Sequence, residues 1–289
     1  MRAKKSEALT GRVGRKTPGL PVITLLTDFG TSDYFVGAMK GAILSRYPGA
    51  VLVDVTHDIP PQNIESGAFT LLTAYESFPL GTIHLAVVDP GVGSVRRPVV
   101  VDAGGHLFVG PDNGLFSYVY ERESSWRVFQ ITKEKYFADS VSPTFHGRDL
   151  FGPVAAALAA GVKPQSLGPL VKDPVRLKPL KPEMNHKGQL RARVIHIDRF
   201  GNCITNITRN ELPEGSLAKL IIKRKEIKEI REYFAAGIKE RELSRRSRGY
   251  ASVFAIWGSA GFLEIAIQND SAANLLHTTI GDPVLVHLN

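Results

Sequence analysis

Apolar positions over the first 175 residues alternate between two spacings. Val22–Thr27 and Ile83–Val88 are continuous apolar runs, which indicate buried strands. Tyr34–Arg46 instead repeats its apolar residues at helical spacing. The alternation continues with a predicted strand at Val51–Val55 and a predicted helix at Ile64–Tyr75. Strands that alternate with helices predict an α/β domain with a mostly parallel central sheet.

Two further features belong to this region. Val99–Asp102 and Leu107–Val109 predict a pair of strands around the turn Gly104–Gly105, and Leu150–Leu158 predicts a helix rich in small residues. We expect the α/β domain to cover residues 21–175. Residues 1–20 are polar, basic and interrupted by glycine and proline, so we expect them to form a disordered tail.

Residues 189–289 have a different pattern, in which strands dominate. They follow a Pro- and Lys-rich segment, residues 176–188, which we expect to be a linker. A helical periodicity covers Glu226–Arg246, where acid–base pairs such as Lys228 and Glu232 would lie on a solvated face. Apolar runs predict strands at Leu190–Ile197, Leu217–Ile222, Tyr250–Ile256, Phe262–Ile267 and Pro283–His287. We therefore expect a smaller, mostly β second domain.

The composition excludes several classes of protein. Of the 289 residues, 43% are hydrophobic and 22% are charged, which suits a chain with a buried core. No apolar run approaches the roughly 20 residues that cross a bilayer, and the basic start lacks the apolar stretch of a secretory signal. We expect a cytoplasmic protein without membrane contact. Cys203 is the single cysteine, which excludes an intrachain disulfide and a metal site of several thiolates.

The net charge of +8 is concentrated in two segments of the chain. Residues 1–19 carry a net charge of +5 and residues 223–248 carry another +5, which leaves −2 for the rest. A nucleic-acid-binding protein more often has a basic face on its folded body, interleaved with aromatic residues. We therefore do not expect a nucleic acid as partner.

Polar side chains cluster where predicted strands end. Ligands of α/β sheets bind beyond the carboxyl ends of the strands. Such positions are occupied by Asp28, Asp33, Asp54, His57, Asp58, Asp89, Arg96, Arg97, Asp198 and Asn202, and a further group, His146, Arg148 and Asp149, begins a helix. The sequence thus indicates an enzyme with an acidic cleft, which suits a cationic substrate.

Several of these residues also have structural interpretations. Asp28 and Asp33 fit a turn and a helix cap. His57 and Asp58 fit a structural pair in a proline turn, which we favour, and Arg148 with Asp149 fits a local ion pair at the start of a helix. No His-x-x-x-His or His-x-His pattern occurs, so we expect no metal. The glycine-rich DPGVG lacks the Gly-Lys-Ser/Thr ending of a phosphate-binding loop.

Six motifs in a fixed order resemble one family. They are TDFG, THDIPPQNIESGA, VVDPGVGS, FHGRD, IDRFGN and SAGFLEIAIQNDSAA, which begin at Thr27, Thr56, Val87, Phe145, Ile197 and Ser259. The chain from about residue 21 to 288 resembles the S-adenosyl-L-methionine (SAM) hydroxide adenosyltransferases, relatives of the fluorinating and chlorinating enzymes. The resemblance implies hydrolysis of SAM to adenosine and methionine without a cofactor. It also implies a β-barrel-like carboxy-terminal domain and a homotrimer with sites at subunit interfaces.

The resemblance further implies roles for residues that bind the substrate. Asp28 would hold the ribose hydroxyls, and Asp33, Asp198 and Asn202 would hold the ammonium and carboxylate of the methionine part, assisted by Ser259. Glu264 lies in the otherwise apolar strand FLEIAI and needs a partner, which an amino or ammonium group of the ligand would supply. The adenine would meet the backbone at Ile267 and Ala272 and the ring of Phe200.

The same resemblance implies that Asp89, Arg96 and His146 activate water. Either Asp89 or His146 could be the base, and this choice stays open. Two alternatives also remain. In a halogenase, a tyrosine would stand in place of Asp89 and a threonine in place of Val92. In a protein that binds SAM or adenosine without catalysis, the three residues would be structural.

Overall fold

A computed structural model describes residues 19–186, 188–234 and 253–289. Residues 1–18 of the predicted tail lie outside these ranges, as do residues 235–246 of the predicted helix. Within these ranges, no helix is both long and apolar enough to cross a bilayer.

A seven-stranded sheet forms the centre of the amino-terminal domain. Its order is β2-β1-β3-β5-β4-β6-β7, in which β2, β1, β3 and β5 are parallel and the remaining pairs are antiparallel. The strands are β1 (Val22–Thr27), β2 (Val51–Thr56), β3 (Ile83–Val87), β4 (Pro98–Ala103), β5 (His106–Pro111), β6 (Trp126–Gln130) and β7 (Leu170–Val171). The expected α/β fold is confirmed. Strands β1, β2 and β3 alternate with helices in sequence, whereas β5 joins the parallel part after the antiparallel strand β4.

Helices cover both faces of this sheet. Helices α1 (Phe35–Arg46) and α4 (Gly152–Ala159) pack together on one face, while α2 (Ile64–Tyr75) and α3 (Ser117–Arg122) pack on the other. Neighbouring residues of β1 divide accordingly, because successive side chains of a strand point to opposite faces. Leu25 joins the core under α1, whereas Leu26 joins the core under α2.

The carboxy-terminal domain is built on a curled sheet. Its path is β12-β11-β16-β9-β10-β15-β14-β13, with β8 beside β9, and β12 also contacts β14, so the sheet bends back on itself. This confirms the barrel-like second domain. The elements are β8 (Glu183–Met184), β9 (Leu190–Ile197), β10 (Cys203–Thr208), β11 (Leu217–Ile222), β12 (Lys225–Ile227), β13 (Ile230–Arg231), β14 (Val253–Trp257), β15 (Phe262–Ile267), α5 (Ala272–Leu276) and β16 (Pro283–Leu288).

The helix predicted at Glu226–Arg246 is wrong over its described part. A two-residue turn at Lys223 and Arg224, both with positive φ, folds β12 back onto β11, and Ile227 enters the core. Lys228 Nζ lies 3.7 Å from Oε2 of Glu226, so this lysine pairs with a residue of β12. Over so short a segment, the apolar residues fit both the helical and the strand period. Hydrogen bonding to β11 therefore determined that the segment is a strand.

One hydrophobic cluster spans both domains, and each domain also has a core of its own. Ile195 and Phe262 of the second sheet pack into the cluster that α2 forms with the first sheet. The His196 ring stacks on Phe69 with centroids 5.1 Å apart, and Arg193 reaches Glu65 of α2 at 2.7 Å. The segment expected to be a linker contains β8, which pairs with β9. The boundaries at residues 175 and 189 stay a prediction.

Candidate active site

Asp89, Arg96 and His146, which we call the Asp89 cluster, are in direct contact. Asp89 follows the end of β3, and Arg96 Nε donates to its two carboxylate oxygens at 2.9 and 3.1 Å. Arg96 Nη2 also contacts Asp89 and lies 2.7 Å from His146 Nδ1. The side chains of Asp89 and Arg96 are only 3% and 9% exposed. The cluster is therefore a buried, bidentate ion pair with an imidazole attached to it.

The hydrogen bond from Arg96 determines which nitrogen of His146 carries the proton. A guanidinium can only donate, so Nδ1 of His146 must accept and the neutral ring carries its proton on Nε2. Burial and the charge of Arg96 both lower the pKa of His146, which agrees with a neutral ring. His146 can thus donate from Nε2. Asp89 is the member of the cluster with free acceptor capacity.

Close packing of two loops brings this cluster together. Gly93 has a φ of 76°, and a Cβ at this position would lie 2.4 Å from the carbonyl oxygen of Pro143. Only glycine therefore allows the DPGVGS loop to lie against the loop that leads to His146. The Arg96 guanidinium rests on the buried ring of Phe151, 5.1 Å from its centroid.

An aromatic cluster fixes His146 relative to the TDFG loop. Phe145 is buried directly before His146 and packs edge-on against Phe29 of that loop, with centroids 5.9 Å apart. It also packs edge-on against Phe35, the first residue of α1, at 5.1 Å. A π-helical turn, Gly147–Phe151, then leads into α4.

Asp28 and Asp33 have different environments in the TDFG region. Asp28 Oδ2 accepts a hydrogen bond from the backbone nitrogen of Gln62 at 2.8 Å. Asp33 is exposed, and the cap position of α1 is Tyr34, without a side-chain capping bond. The helix-cap interpretation of Asp33 is therefore wrong.

The two structural pairs expected from sequence have opposite outcomes. His57 does not pair with Asp58, because its ring lies between Thr27 and Asp54. Asp54 comes three residues earlier, on the strand, where sequence neighbourhood gives no indication of the contact. The local ion pair of Arg148 and Asp149 is confirmed, with Nε 2.6 Å from Oδ1.

Asp198 organises the turn between β9 and β10. Its Oδ1 accepts from the backbone nitrogens of Phe200 and Asn202 at 2.9 and 2.8 Å, and its Oδ2 accepts from the Asn202 side chain at 2.8 Å. The turn holds Asn202 in a buried position and projects Phe200, which is 78% exposed. Phe200 is thus available to stack on a planar ligand.

Glu264 is a half-buried acid next to Asp198. Its carboxylate lies over Gly258, where a Cβ would fall 1.7 Å from Oε1. Burial raises the pKa of Glu264, and the nearby charge of Asp198 raises it further. No positively charged side chain in the described ranges forms an ion pair with Glu264. A cation bound beside Glu264 would therefore be stabilised by its carboxylate.

A cavity of about 470 Å³ adjoins this turn. Three of the residues predicted to bind substrate line it: Phe200, Asn202 and Ile267. Its other lining residues are Phe234, Gln268, Asn269, Asp270 and Ser271.

Comparison with known proteins identifies the family. The model of the SAM hydroxide adenosyltransferase N-terminal domain matches residues 23–168, and that of the C-terminal domain matches residues 192–285. This chain belongs to the SAM hydroxide adenosyltransferase family. It is 37% identical to an (R)-S-adenosyl-L-methionine hydrolase of Methanocaldococcus jannaschii, over 92% of this chain and 95% of that protein. It is 35% identical to a protein of the same name from Thermus thermophilus, over 91% and 98%.

A solved structure has the same fold. The crystal structure of an uncharacterized conserved protein from Thermotoga maritima superposes with a TM-score of 0.80 at 30% sequence identity. The match covers 91% of this chain and 99% of that one. Both domains of the SAM hydroxide adenosyltransferase fold are therefore included.

Most of the residues predicted for the site form two groups within this family member, and Asp28 and Asp33 of the TDFG region belong to neither. The Asp89 cluster lies in the amino-terminal domain. The second group, which we call the Asp198 group, contains Asp198, Phe200, Asn202 and Glu264 in the carboxy-terminal domain. Across the described ranges, no hydrogen bond or ion pair joins the two. Ser259 is exposed in the turn between β14 and β15, and Ala272 is buried at the start of α5.

Sequence reasoning missed Ser271 and Phe151. Ser271 caps α5, because its Oγ accepts from the backbone nitrogen of Asn274 at 3.1 Å, and it packs against Gly201 of the Asp198 turn. The string SAAN, with serine at the cap position, is the signal that could have indicated it. Phe151 under Arg96 has no such signal, since a phenylalanine there reads as ordinary core.

Proposed function

We propose that this chain hydrolyses SAM to adenosine and L-methionine, and that the Asp89 cluster activates the water. The observation that carries this proposal is the contact of Asp89, Arg96 and His146 beyond the carboxyl end of β3. Ligands of parallel sheets bind at this edge. The relatives named (R)-S-adenosyl-L-methionine hydrolase, which match nearly the full chain, support the same reaction.

The proposed chemistry is a direct displacement at C5′. The water oxygen forms a bond to C5′ as the C5′–S bond breaks, and the bonding pair leaves on sulfur, which becomes a neutral thioether. No general acid is needed for this leaving group. Alignment of the water opposite sulfur contributes up to about 7–11 kcal/mol, and a positioned base adds roughly 10²- to 10⁴-fold.

The hydrogen bonds of the cluster favour Asp89 as the base. His146 Nδ1 accepts from Arg96, and its Nε2 carries a proton. The ring can therefore donate a hydrogen bond to the water but cannot take its proton. Asp89 accepts the proton of the attacking water and passes it to solvent. Arg96 holds the carboxylate in one orientation through two hydrogen bonds.

The substrate fits the groups on the carboxy-terminal side. SAM carries an ammonium and a sulfonium, and the neighbouring carboxylates of Glu264 and Asp198 would stabilise a positive group. Phe200 would stack on the adenine, near the backbone at Ile267 and Ala272. Asn202 and Ser259 would contact the methionine part. In the amino-terminal domain, Asp33 would also contact the methionine part, and Asp28 would accept from the ribose hydroxyls.

Use of a halide as the nucleophile is disfavoured by charge. Asp89 would place an anion next to the incoming halide, and the one cation of the cluster, Arg96, is already bound to that carboxylate. Neutral water meets no such repulsion.

We further propose that the active unit is a homotrimer in which each site lies between two chains. The Asp89 cluster and the Asp198 group have no direct contact within one chain, and in the trimer one chain would supply the first group and its neighbour the second. Each also has exposed apolar residues near it, Val95 at 102% and Phe200 at 78%. Such residues suit a subunit contact.

Complementation between inactive variants tests this assembly. Asp89→Ala removes the base, and Glu264→Lys places a cation where the substrate's cation would bind. Trimers formed from equal amounts of both variants should recover about a quarter of wild-type activity, because each site draws its two halves from different chains. Activity no higher than that of the separate variants would contradict sites shared between subunits.

Product analysis tests the reaction itself. Purified protein incubated with SAM should release adenosine and methionine in equal amounts. In water enriched in ¹⁸O, the label should enter the 5′-hydroxyl of adenosine and not the methionine carboxylate. If adenosine forms without the label, displacement by water at C5′ is wrong.

A further inference from the structure

A buried histidine joins the TDFG loop to the loop that follows β2. His57 is 4% exposed, and its Nδ1 lies 2.8 Å from Oγ1 of Thr27, the fully buried last residue of β1. On its other side, His57 Nε2 lies 3.1 Å from Oδ1 of Asp54, whose Oδ2 accepts from Lys40 at 2.6 Å. The imidazole therefore spans the space between two strand ends of the parallel sheet.

The neighbouring charges orient this imidazole. Although burial opposes it, the hydrogen bond from Lys40 and the proximity of the His57 ring lower the pKa of Asp54, so its carboxylate is ionised at neutral pH. A carboxylate opposite Nε2 favours the proton on that nitrogen. In the neutral ring, Nδ1 is then free to accept from the hydroxyl of Thr27. The same hydroxyl oxygen accepts from the backbone nitrogen of Phe29 at 3.3 Å.

The backbone of His57 supports the same loop. Its carbonyl oxygen accepts from the nitrogen of Gly30 at 2.8 Å. Asp28, between the two points held by His57, accepts from the backbone of Gln62, which has the uncommon φ of 65°. The loop around Asp28 is thus fixed on both sides by the segment from His57 to Gln62.

We infer that His57 is a positioning residue for ribose recognition: through Thr27 and Gly30 it holds the carboxylate of Asp28 where it can accept from the two ribose hydroxyls. This inference rests on the proposed function for the role of Asp28 alone. His57 does not touch the substrate in this arrangement, and its effect on nucleoside binding passes through the TDFG loop.

The same strand provides a matched control. Thr24 Oγ1 lies 2.8 Å from Nδ1 of His84, and this pair is also buried. Thr24 lies in the interior of β1, three residues before Thr27. On its other side, His84 contacts His106 and not the TDFG loop. Removal of this second pair eliminates a hydrogen bond of the same kind, between a threonine hydroxyl of β1 and a buried histidine, without affecting the support of Asp28.

The test compares two nucleosides, adenosine and 2′,3′-dideoxyadenosine, by calorimetry. Charge-assisted hydrogen bonds to the hydroxyls should make wild-type protein prefer adenosine by about 10- to 100-fold. His57→Phe and the nearly isosteric Thr27→Val should lose most of this preference. His57→Asn should keep it, because its Oδ1 can accept from Thr27. Thr24→Val, the matched control, should keep it even if its melting temperature falls.

The ratio of affinities separates positioning from general damage. A misfolded or loosened variant weakens both nucleosides together, whereas loss of ribose recognition weakens adenosine alone. The inference is overturned if His57→Phe and Thr27→Val keep the wild-type ratio, if Thr24→Val loses it equally, or if wild-type protein has no preference. Release of adenosine from SAM by wild-type protein is measured separately. A failure of the proposed reaction can therefore be distinguished from a failure of the role inferred for His57.

Discussion

The Asp89 cluster and the Asp198 group differ in how their charges are satisfied. In the Asp89 cluster, the guanidinium binds both the carboxylate and the imidazole, and aromatic rings fix their positions. In the Asp198 group, the acid Glu264 sits beside a second carboxylate, and its pKa is raised. Phe200 projects into solvent. The first group is organised before any substrate binds, whereas the proposed function has the second completed by the substrate.

The physical reason lies in what each group must recognise. Water is small and neutral, so the groups that orient it must already hold their geometry. A cationic substrate brings its own charge, and acids left without a cation gain stabilisation only when it arrives. Catalysis and binding should therefore respond separately to substitution.

The largest effect is expected from Asp89→Asn. Without the carboxylate, turnover of SAM should fall by roughly 10²- to 10⁴-fold, while the dissociation constant stays near that of wild type, because the residue addresses water. Single-turnover kinetics and calorimetry measure the two quantities. Asp173→Asn is the matched control, because Asp173 is an exposed partner of Arg97 and should leave turnover unchanged. Equal loss of affinity and turnover in Asp89→Asn would remove the distinction between the groups.

Substitution of Glu264 should have the opposite pattern. Glu264→Gln removes one negative charge without a change of shape, and affinity for SAM should fall by roughly 10- to 100-fold. The rate at saturating substrate should change far less. A variant that binds SAM like wild type would show that the raised pKa of Glu264 has no relation to the substrate.

The raised pKa of Glu264 also predicts a pH dependence of binding. A cation binds the ionised carboxylate, so affinity for SAM should rise as pH increases through this raised pKa, and a proton should be released on binding. Calorimetry in buffers of different ionisation enthalpy counts that proton. Glu264→Gln should release none; if it releases as many protons as wild type, another group is responsible.

Acid should destabilise the amino-terminal domain through His84. Burial, and then the neighbouring His106, lower the pKa of His84 to about 3. The unfolded chain therefore binds a proton that the folded chain rejects, and stability falls as pH decreases below about 6.5. Between pH 7 and pH 5, this group should lower the free energy of unfolding by about 2 kcal/mol. Urea denaturation at the two pH values measures this difference. The free energy of unfolding of His84→Gln should fall less over the same interval. If it falls as much as that of wild type, another group is responsible.

The smallest effect is expected at Phe200. Phe200→Ala removes a stacking surface but no charge, and affinity for adenosine should fall by about 2- to 10-fold. Affinity for methionine should not change, since the ring is assigned to the adenine. Equal weakening of both products in calorimetry would mean that the substitution disturbs the turn of Asp198 instead.

The sequence alone predicted most of the local structure. The apolar run at Val22–Thr27, the helix at Ile64–Tyr75 and the strand at Phe262–Ile267 have the bounds that the structure gives them. These segments have a strong period and clear breaks, so local preference and tertiary packing agree. The helix prediction failed over the described residues 226–234, because a charged segment with few apolar residues fits both periods, and the turn at Lys223 and Arg224 decided between them.

For the site, the sequence determined which residue types stand at the strand ends, and tertiary structure decided which of them meet. Asp89 and His146 are far apart in sequence, and their contact through Arg96 requires Gly93 to pack against Pro143. His57 contacts Asp54 and Thr27 rather than its neighbour Asp58. Local patterns record the period of burial along each element, whereas hydrogen bonds between loops depend on sheet order and loop conformation. Those are set by the whole chain, because many long-range contacts must be satisfied together.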